Sequence, residues 1–106
     1  MTRKIEKAMC DACDQGMNWK QSNTEVVTDN NVSTVYLHGN KIAELGEDYL
    51  TVFDGGWQTN VTKSRLNALI DRFCNALTDG VFQKDWTWYV SDNNVTSEFT
   101  GEYTFA

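Results

Sequence analysis

Three cysteines and one histidine carry the most reactive side chains of this chain. Cys10 and Cys13 have the C-x-x-C spacing that redox and zinc sites use. The redox form opens a helix, whose N-terminus lowers the pKa of the first thiol, whereas this pair falls late in a predicted helix. Zinc needs four ligands, and the chain offers only these two residues with Cys74 and His38. We therefore expect two small apolar residues on a buried helix face, and no metal or cofactor.

Acid–base and nucleophilic chemistry find little support in the other residues. His38 is expected in a turn before Gly39 and Cys74 near a buried helix stripe, so the two are not placed as a base and its nucleophile. General acid–base catalysis needs a carboxylate with a shifted pKa in a cleft, which a group of turn acids does not establish. These turn acids are Glu44, Glu47 and Asp48. We therefore expect no enzyme.

Length and charge limit the class of protein. The 106 residues predict a single domain that spans residues 1–106. They include 9 Lys and Arg against 15 Asp and Glu, for a net charge of −6, which argues against a protein that simply coats nucleic acid. No apolar run has the length of a membrane span, and the N-terminal segment lacks the apolar stretch of a signal peptide. The odd number of cysteines is typical of a reducing cytosol.

The first half of the chain predicts one helix followed by a series of strands. Residues 2–15 repeat apolar side chains at three- and four-residue steps, with Thr2 as the N-terminal cap and Gly16 ending the helix. Trp19 is expected to close one end of the core. Four β-rich runs separated by Asn, Asp and Gly turns then predict antiparallel strands at 24–28, 32–38, 41–45 and 49–53.

The second half predicts a helix at 62–78 and a β-rich tail. Thr62 is the expected helix cap, with Asn60 as an alternative. The apolar stripe of this helix consists of Leu66, Leu69, Ile70, Phe73, Ala76 and Leu77. In the tail, Trp86, Trp88 and Val90 are expected on one strand face. The pattern is typical of an α+β domain in which two helices pack on an antiparallel sheet of about five to six strands.

The last strand is expected to present a polar row opposite an apolar one. The polar row consists of Thr96, Glu98, Thr100, Glu102 and Thr104. Residues 85–106 carry four acids and no base, so this part of the sheet is acidic, whereas the helices are mildly basic. An acidic strand rich in threonine suits a basic protein surface and repels a phosphate backbone.

Several stretches resemble a family of small, mostly uncharacterised proteins encoded by tailed bacteriophages. They are residues 18–19, 23–26, 35–43, the G-W-x-T turn at 56–59 and T-K-S-R-L-N-A-L at 62–69, and the resemblance spans residues 5 to about 90. It implies no catalytic residues; Trp57 is expected to anchor a turn, and Asn67 or Ser64 to bond neighbouring backbone. The resemblance also implies work in the cytoplasm of the infected bacterium. Small acidic phage proteins often bind a host protein, including components of CRISPR complexes or restriction enzymes.

The leading hypothesis is a phage-encoded binding protein that inhibits or modulates a host protein, such as a nucleic-acid-binding defence complex. An anti-CRISPR or other anti-defence inhibitor is one form of it. The expected binding residues are Tyr89, Glu98, Thr100 and Glu102, with Glu44, Glu47 and Asp48 as a second patch. The expected state is a monomer or homodimer without membrane association.

Two alternatives stay open at this point. One is a nucleic-acid-binding module that uses the bases of the second helix, which are Lys63, Arg65 and Arg72. The other is a structural protein that forms homo-oligomers through a sheet edge.

Overall fold

The computed structural model describes residues 3–56 and 58–106. Thr2, predicted as a helix cap, and Trp57, predicted as a turn anchor, lie outside the described residues. The first half contains α1 (Lys4–Gln15), β1 (Trp19–Gln21), β2 (Thr24–Asp29), β3 (Val32–Leu37), β4 (Asn40–Leu45) and β5 (Leu50–Phe53). The second half contains α2 (Asn60–Phe73), β6 (Gly80–Lys84), β7 (Thr87–Asp92), β8 (Val95–Glu98) and β9 (Glu102–Phe105).

The strands form two antiparallel sheets. The large sheet has the order β1-β2-β3-β4-β5-β9, and the small sheet has the order β6-β7-β8. Helix α1 packs on β1, β2 and α2, and α2 also contacts β4, β5 and β6. The predicted α+β class is confirmed, and the small sheet is an addition to it. Within the described ranges, neither helix has the length and apolar character needed to cross a bilayer.

Two-residue turns with positive φ connect many of the strands. Three of them use residues that tolerate this conformation, namely Asn30-Asn31, His38-Gly39 and Asn93-Asn94. The four predicted strands between residues 24 and 53 agree with β2 to β5 within one residue at each end. The turn chemistry therefore predicted this part of the large sheet well.

Helix α1 presents its cysteines to the core, as predicted. Cys10 and Cys13 are buried, and burial raises the pKa of Cys10 to about 11 and that of Cys13 to about 12. The Cys10 thiol lies 3.6 Å from the carbonyl oxygen of Ala68 in α2, to which it donates. Gly16 ends the helix with a φ of +65°, and Trp19 is partly buried against the core, so both predictions are confirmed.

Helix α2 begins earlier than predicted. Its cap is Thr59, whose Oγ1 accepts a hydrogen bond from the N–H of Thr62 at 3.1 Å, so the predicted caps Thr62 and Asn60 are wrong. A Thr hydroxyl before the first turn satisfies a backbone donor that has no partner within the helix. The predicted core residues that are buried here are Leu66, Leu69 and Ile70.

Helix α2 also ends earlier, at Phe73 rather than at residue 78. The prediction of Ala76 and Leu77 as core residues is wrong, since both are exposed, Leu77 to 92%. Asn75 and Asp79 explain the early end. The Asp79 carboxylate accepts from the N–H of Asn75, and Oδ1 of Asn75 accepts from the N–H of Leu77, both at 3.0 Å. These side-chain bonds replace helical ones.

The tail is divided between the two sheets, so the prediction of a single last strand is wrong. Strand β8 pairs with β7, whereas β9 pairs with β5. The chain changes direction near Gly101, whose φ of +108° suits glycine and whose carbonyl accepts from the N–H of Asp54 at 3.1 Å. Phe99 and Phe105 are both buried. The apolar alternation therefore continues through the bend and conceals it.

A buried ion pair joins the two helices. Oε2 of Glu6 lies 2.7 Å from Nη1 of Arg65, and the two residues are only 2% and 4% exposed. Ser64 donates to the same oxygen at 2.7 Å. Burial raises the pKa of Glu6, but the hydrogen bonds from Ser64 and Arg65 outweigh it and hold that pKa below its ordinary value of 4.5. Arg65, predicted as one of three bases of a nucleic-acid-binding surface, is therefore buried in the core instead.

The Arg65 guanidinium extends this connection to the large sheet. Its Nε donates to Oγ1 of Thr24 at 3.2 Å, and its Nη2 to Oδ1 of Asn23 at 3.5 Å. The backbone carbonyl of Asn23 accepts a hydrogen bond from the backbone N–H of His38 at 2.8 Å. One guanidinium thus holds α1, α2 and the start of β2 in a fixed arrangement.

Replacing Glu6 by Gln is expected to lower the free energy of unfolding by about 3–5 kcal/mol, because Arg65 stays buried without its countercharge. Urea denaturation at neutral pH measures this loss. Asp14→Asn is the matched control, since Asp14 is an exposed carboxylate 3.4 Å from Arg72 and its loss should cost less than about 1 kcal/mol. Equal losses in the two variants would contradict the central role of the buried pair.

The contribution of Glu6 to the free energy of unfolding should decrease as the pH falls. Since the folded pKa lies below the ordinary 4.5, the carboxylate stabilises the fold above that pH, and the stability is lost as pH falls through the folded pKa. The difference in stability between the native protein and Glu6→Gln should therefore narrow in acid. Urea denaturation of both proteins over a pH series tests this, and a difference that stays constant into acid is the opposing result.

Candidate functional site

The structure brings together Tyr89 and Glu98, two of the predicted binding residues. They lie directly opposite one another in β7 and β8, and Phe82 of β6 lies opposite Tyr89 on the other side. Residues in such register share one face of a sheet and contact each other. The rings of Phe82 and Tyr89 stack with their centroids 5.6 Å apart. The three side chains therefore form one row, which ends at the exposed carboxylate of Glu98.

This row crosses the outward side of the small sheet, which we call the outer face. The outer face consists of Phe82, Lys84, Thr87, Tyr89, Thr96 and Glu98, together with the small residues Gly80 and Ser91. The opposite side of the small sheet contributes Val81, Trp88 and Val90 to the core. The alternation of buried and outward residues along β7 positions the outer face.

Exposed apolar side chains are concentrated around the small sheet. The described residues include six large hydrophobic side chains that are exposed, and four of them belong to residues 77–95. These four are Leu77, Phe82, Trp86 and Val95. Leu77 and Phe82, the latter 38% exposed, border one shallow groove of about 220 Å³. Exposed apolar side chains that lie side by side, as Leu77 and Phe82 do at this groove, are typical of a surface that binds another protein.

Trp86 lies at the tip of the hairpin between β6 and β7 and is 91% exposed. It and Asp85 form a two-residue turn with φ values of +70° and +51°. The comparable turns of this chain have Asn or Gly at the second position, where a bulky residue is strained. The predicted strand position of Trp86 beside Trp88 and Val90 is therefore wrong. Stability alone does not favour an exposed indole in such a turn.

Thr100 and Glu102, also predicted to bind the partner, lie apart from the row of Tyr89 and Glu98. Thr100 is exposed in the segment between β8 and β9. Glu102 begins β9, where it lies opposite Phe53 of the large sheet. The predicted continuous polar row from Thr96 to Thr104 is wrong, because its two ends belong to different sheets.

Glu44, from the second predicted patch, is half-buried and has two partners. Lys41 lies 3.3 Å from Oε1 of Glu44, and the hydroxyl of Tyr49 donates to Oε2 at 3.0 Å. The hydrogen bond to Glu44 raises the pKa of Tyr49. This carboxylate therefore contributes to the local structure of the large sheet.

Glu47 and Asp48, the other members of that patch, are exposed in the turn before β5. They border a cleft of about 430 Å³ that Asp79 and Asp92 also line. Asp79 accepts from the N–H of Asn93 at 2.8 Å, and Asp92 accepts from the hydroxyl of Tyr103 at 2.6 Å. The two inner carboxylates thus have structural roles, and Glu47 and Asp48 are left at the rim.

The bases of α2 do not form a free positive patch. Arg65 is buried against Glu6. Nη2 of Arg72 lies 2.8 Å from Asp11 and 3.4 Å from Asp14, and its hydrogen bond holds the pKa of Asp11 below the ordinary range. Two of the three bases predicted for a nucleic-acid site are therefore compensated by carboxylates of α1.

His38 lies in the exposed turn between β3 and β4, as predicted. Its Nε2 is 3.5 Å from Nδ2 of Asn23. It borders a cleft of about 460 Å³ with Ile42 and Asp54, and no cysteine is found among the described lining residues. Across residues 3–56 and 58–106, no His, Cys, Asp and Glu side chains are grouped to hold a metal ion.

Sequence reasoning missed Leu77, Phe82 and Trp86 as surface residues. Leu77 continues the apolar spacing of α2, so the sequence predicts that the helix extends through the turn that Asn75 and Asp79 form. The signal for the hairpin was present, because Asp85 and Trp86 separate two β-rich runs by two residues.

A comparison with protein families extends over almost the whole chain. The family model described as "Kyanoviridae Gp96 protein" matches residues 2–106, whereas no curated protein and no solved structure matches. The match confirms the predicted origin in a family of bacteriophage proteins. Since nearly every residue is covered, the chain belongs to the Kyanoviridae Gp96 protein family.

Proposed function

We propose that this phage protein binds a basic surface of a host protein through the outer face of its small sheet. The observation that carries the proposal is the exposure of large apolar side chains at this sheet, with Phe82 on the outer face, Leu77 beside it at one groove and Trp86 at the hairpin tip. Protein interfaces are enriched in aromatic residues at their centre and polar residues at their rim. The proposed role is binding without catalysis.

The charge of this region supports a basic partner. Residues 80–98, which form the small sheet, contain one base, Lys84, and three acids, Asp85, Asp92 and Glu98. An excess of negative charge attracts a positive surface, raises the rate of encounter and disfavours acidic partners. The small sheet therefore selects for positive charge.

The row of Phe82, Tyr89 and Glu98 suits an arginine of the partner. A guanidinium can stack on an aromatic ring while its N–H groups donate to a carboxylate. Tyr89 supplies the ring, and Glu98 lies in the opposite position of the next strand. Because Phe82 already stacks on Tyr89, the ring is held in place before the partner arrives.

The same charge favours partners that otherwise bind nucleic acid, because their surfaces are strongly positive. A phage protein on such a surface competes with DNA or RNA for it. We therefore propose inhibition of a nucleic-acid-binding host protein, such as a component of a CRISPR complex or a restriction enzyme, in the bacterial cytoplasm. The excess of acids in the small sheet, three against one base, supports this target class.

Charge reversal of Glu98 is expected to weaken host-protein binding at least about tenfold, because it puts like charges together at the interface. Capture by the tagged protein from host lysate identifies the bound protein. Calorimetric titration of that purified protein then gives the affinity of each variant at low and high salt. Glu98→Lys should also flatten the salt dependence.

Glu102→Lys is the matched control for this measurement. It makes the same change of net charge on the large sheet, and affinity should stay within about twofold of the native value. An equal loss in both variants would show that net charge alone attracts the partner. Unchanged affinity in Glu98→Lys would exclude the outer face.

Replacing Trp86 by Gly should stabilise the fold and weaken binding at the same time. Glycine relieves the positive φ at this position, and we expect a gain of about 1 kcal/mol in the free energy of unfolding. Loss of the exposed indole removes an aromatic contact and should lower affinity for the captured protein. Trp86→Phe keeps both the strain and an aromatic ring, so it should change neither quantity much. A glycine variant that binds as tightly as the native protein would exclude Trp86 from the interface.

A further inference from the structure

We propose that the outer edge of β8 receives an extended segment of the host protein as a fourth strand of the small sheet. This inference rests on the proposed function, since it specifies how the same partner docks. Among the described strands, β8 pairs only with β7, and all four of its residues are exposed. Neither Lys nor Pro, which commonly block strand edges, occurs between Val95 and Glu98.

The backbone of β8 has donors and acceptors that point away from the sheet. The N–H of Phe99 donates to the carbonyl of Trp88 at 2.9 Å, so the backbone of Phe99 faces β7. Backbone groups alternate in direction along a strand, and those of Ser97 therefore face β7 as well. The N–H and C=O groups of Thr96 and Glu98 point outward, where an added strand can bond all four.

The opposite edge of the same sheet is closed by a side chain. Nδ2 of Asn67 donates to the carbonyl of Val81, and Oδ1 of Asn67 accepts from the N–H of Val81, each at 2.8 Å. The amide of Asn67 thus takes the place of a neighbouring strand beside β6. The β6 edge is therefore covered at Val81, whereas no described side chain bonds the outward backbone of β8.

Charge identifies the occupant as a basic segment of the partner. A residue of the added strand opposite Glu98 lies on the outer face beside that carboxylate, where Lys or Arg is favoured and an acid is repelled. A second copy of this chain carries a net charge of −6 and is repelled for the same reason. An extended segment with Lys or Arg at alternate positions therefore fits best.

A synthetic six-residue peptide that alternates arginine and valine tests the edge directly. Amide hydrogen exchange, measured residue by residue by NMR, should show protection of Thr96 and Glu98 in its presence. Two control peptides are matched to it: one has glutamate in place of arginine, and one has N-methyl groups on alternate backbone amides. Neither control should protect these amides, because the first repels Glu98 and the second lacks the backbone donors.

Thr96→Pro tests the same edge within the protein. Proline removes the outward N–H and leaves the bonds between β7 and β8, a position where proline is tolerated. It should lower affinity for the captured host protein at least about tenfold, whereas Thr96→Ser should stay within about twofold. Exchange rates of the Ser97 and Phe99 amides report whether the variant keeps its fold. If Thr96→Pro does not fold, the comparison of the arginine peptide with its N-methylated control is the test of the β8 edge.

The outcomes separate this inference from the proposed function. Loss of binding in Glu98→Lys but not in a folded Thr96→Pro would overturn the added strand and keep the outer face. The added strand would also be overturned if the arginine peptide did not protect the amides of Thr96 and Glu98. The same holds if their protection rose with protein concentration in the absence of peptide. Protection by the arginine peptide only, together with loss of binding in Thr96→Pro, supports it.

Discussion

The ion pair between Glu6 and Arg65 is the contact on which the arrangement of both helices and the large sheet depends. Two charges taken out of water are stable only when each is also hydrogen-bonded. Ser64 and Thr24 supply those bonds here. An apolar pair of similar volume could match the stability, but the guanidinium needs acceptors in fixed directions. Its directional bonds therefore set where α1, α2 and β2 lie relative to one another.

This constraint also determines which charges reach the surface. Because Arg65 is used inside and Arg72 is paired with Asp11 and Asp14, α2 loses most of the positive charge that its sequence shows. The small sheet has one base against its acids and hence keeps its negative charge. Asn67 bonds α2 to β6, so the rigid helix also fixes the position of that acidic sheet.

The sequence was informative where local chemistry decides the structure and uninformative where distant residues decide it. Turns rich in Asn and Gly predicted the bounds of β2 to β5, and Gly16 predicted the end of α1. Nothing near Arg65 shows that it is buried, because its partner Glu6 lies 59 residues away in the chain. The alternating tail likewise predicts one strand. Phe99 directly after β8 and Phe105 in β9 are both buried, so the apolar alternation is the same although β8 and β9 belong to different sheets.

The departures from ordinary folding rules are concentrated in one part of the molecule. Residues 24–53 follow those rules more closely, with tolerant turn residues and paired strands, and depart from them at a shift of register between Val35 and Tyr36. In contrast, residues 77–98 contain an exposed Leu77, a strained and exposed Trp86, and the open edge of β8. Natural proteins commonly give up such local consistency at functional sites, where binding compensates for it. The strained turn, the groove beside Leu77 and Phe82 and the open edge of β8 all belong to one small sheet, which is why we propose this sheet as the binding surface.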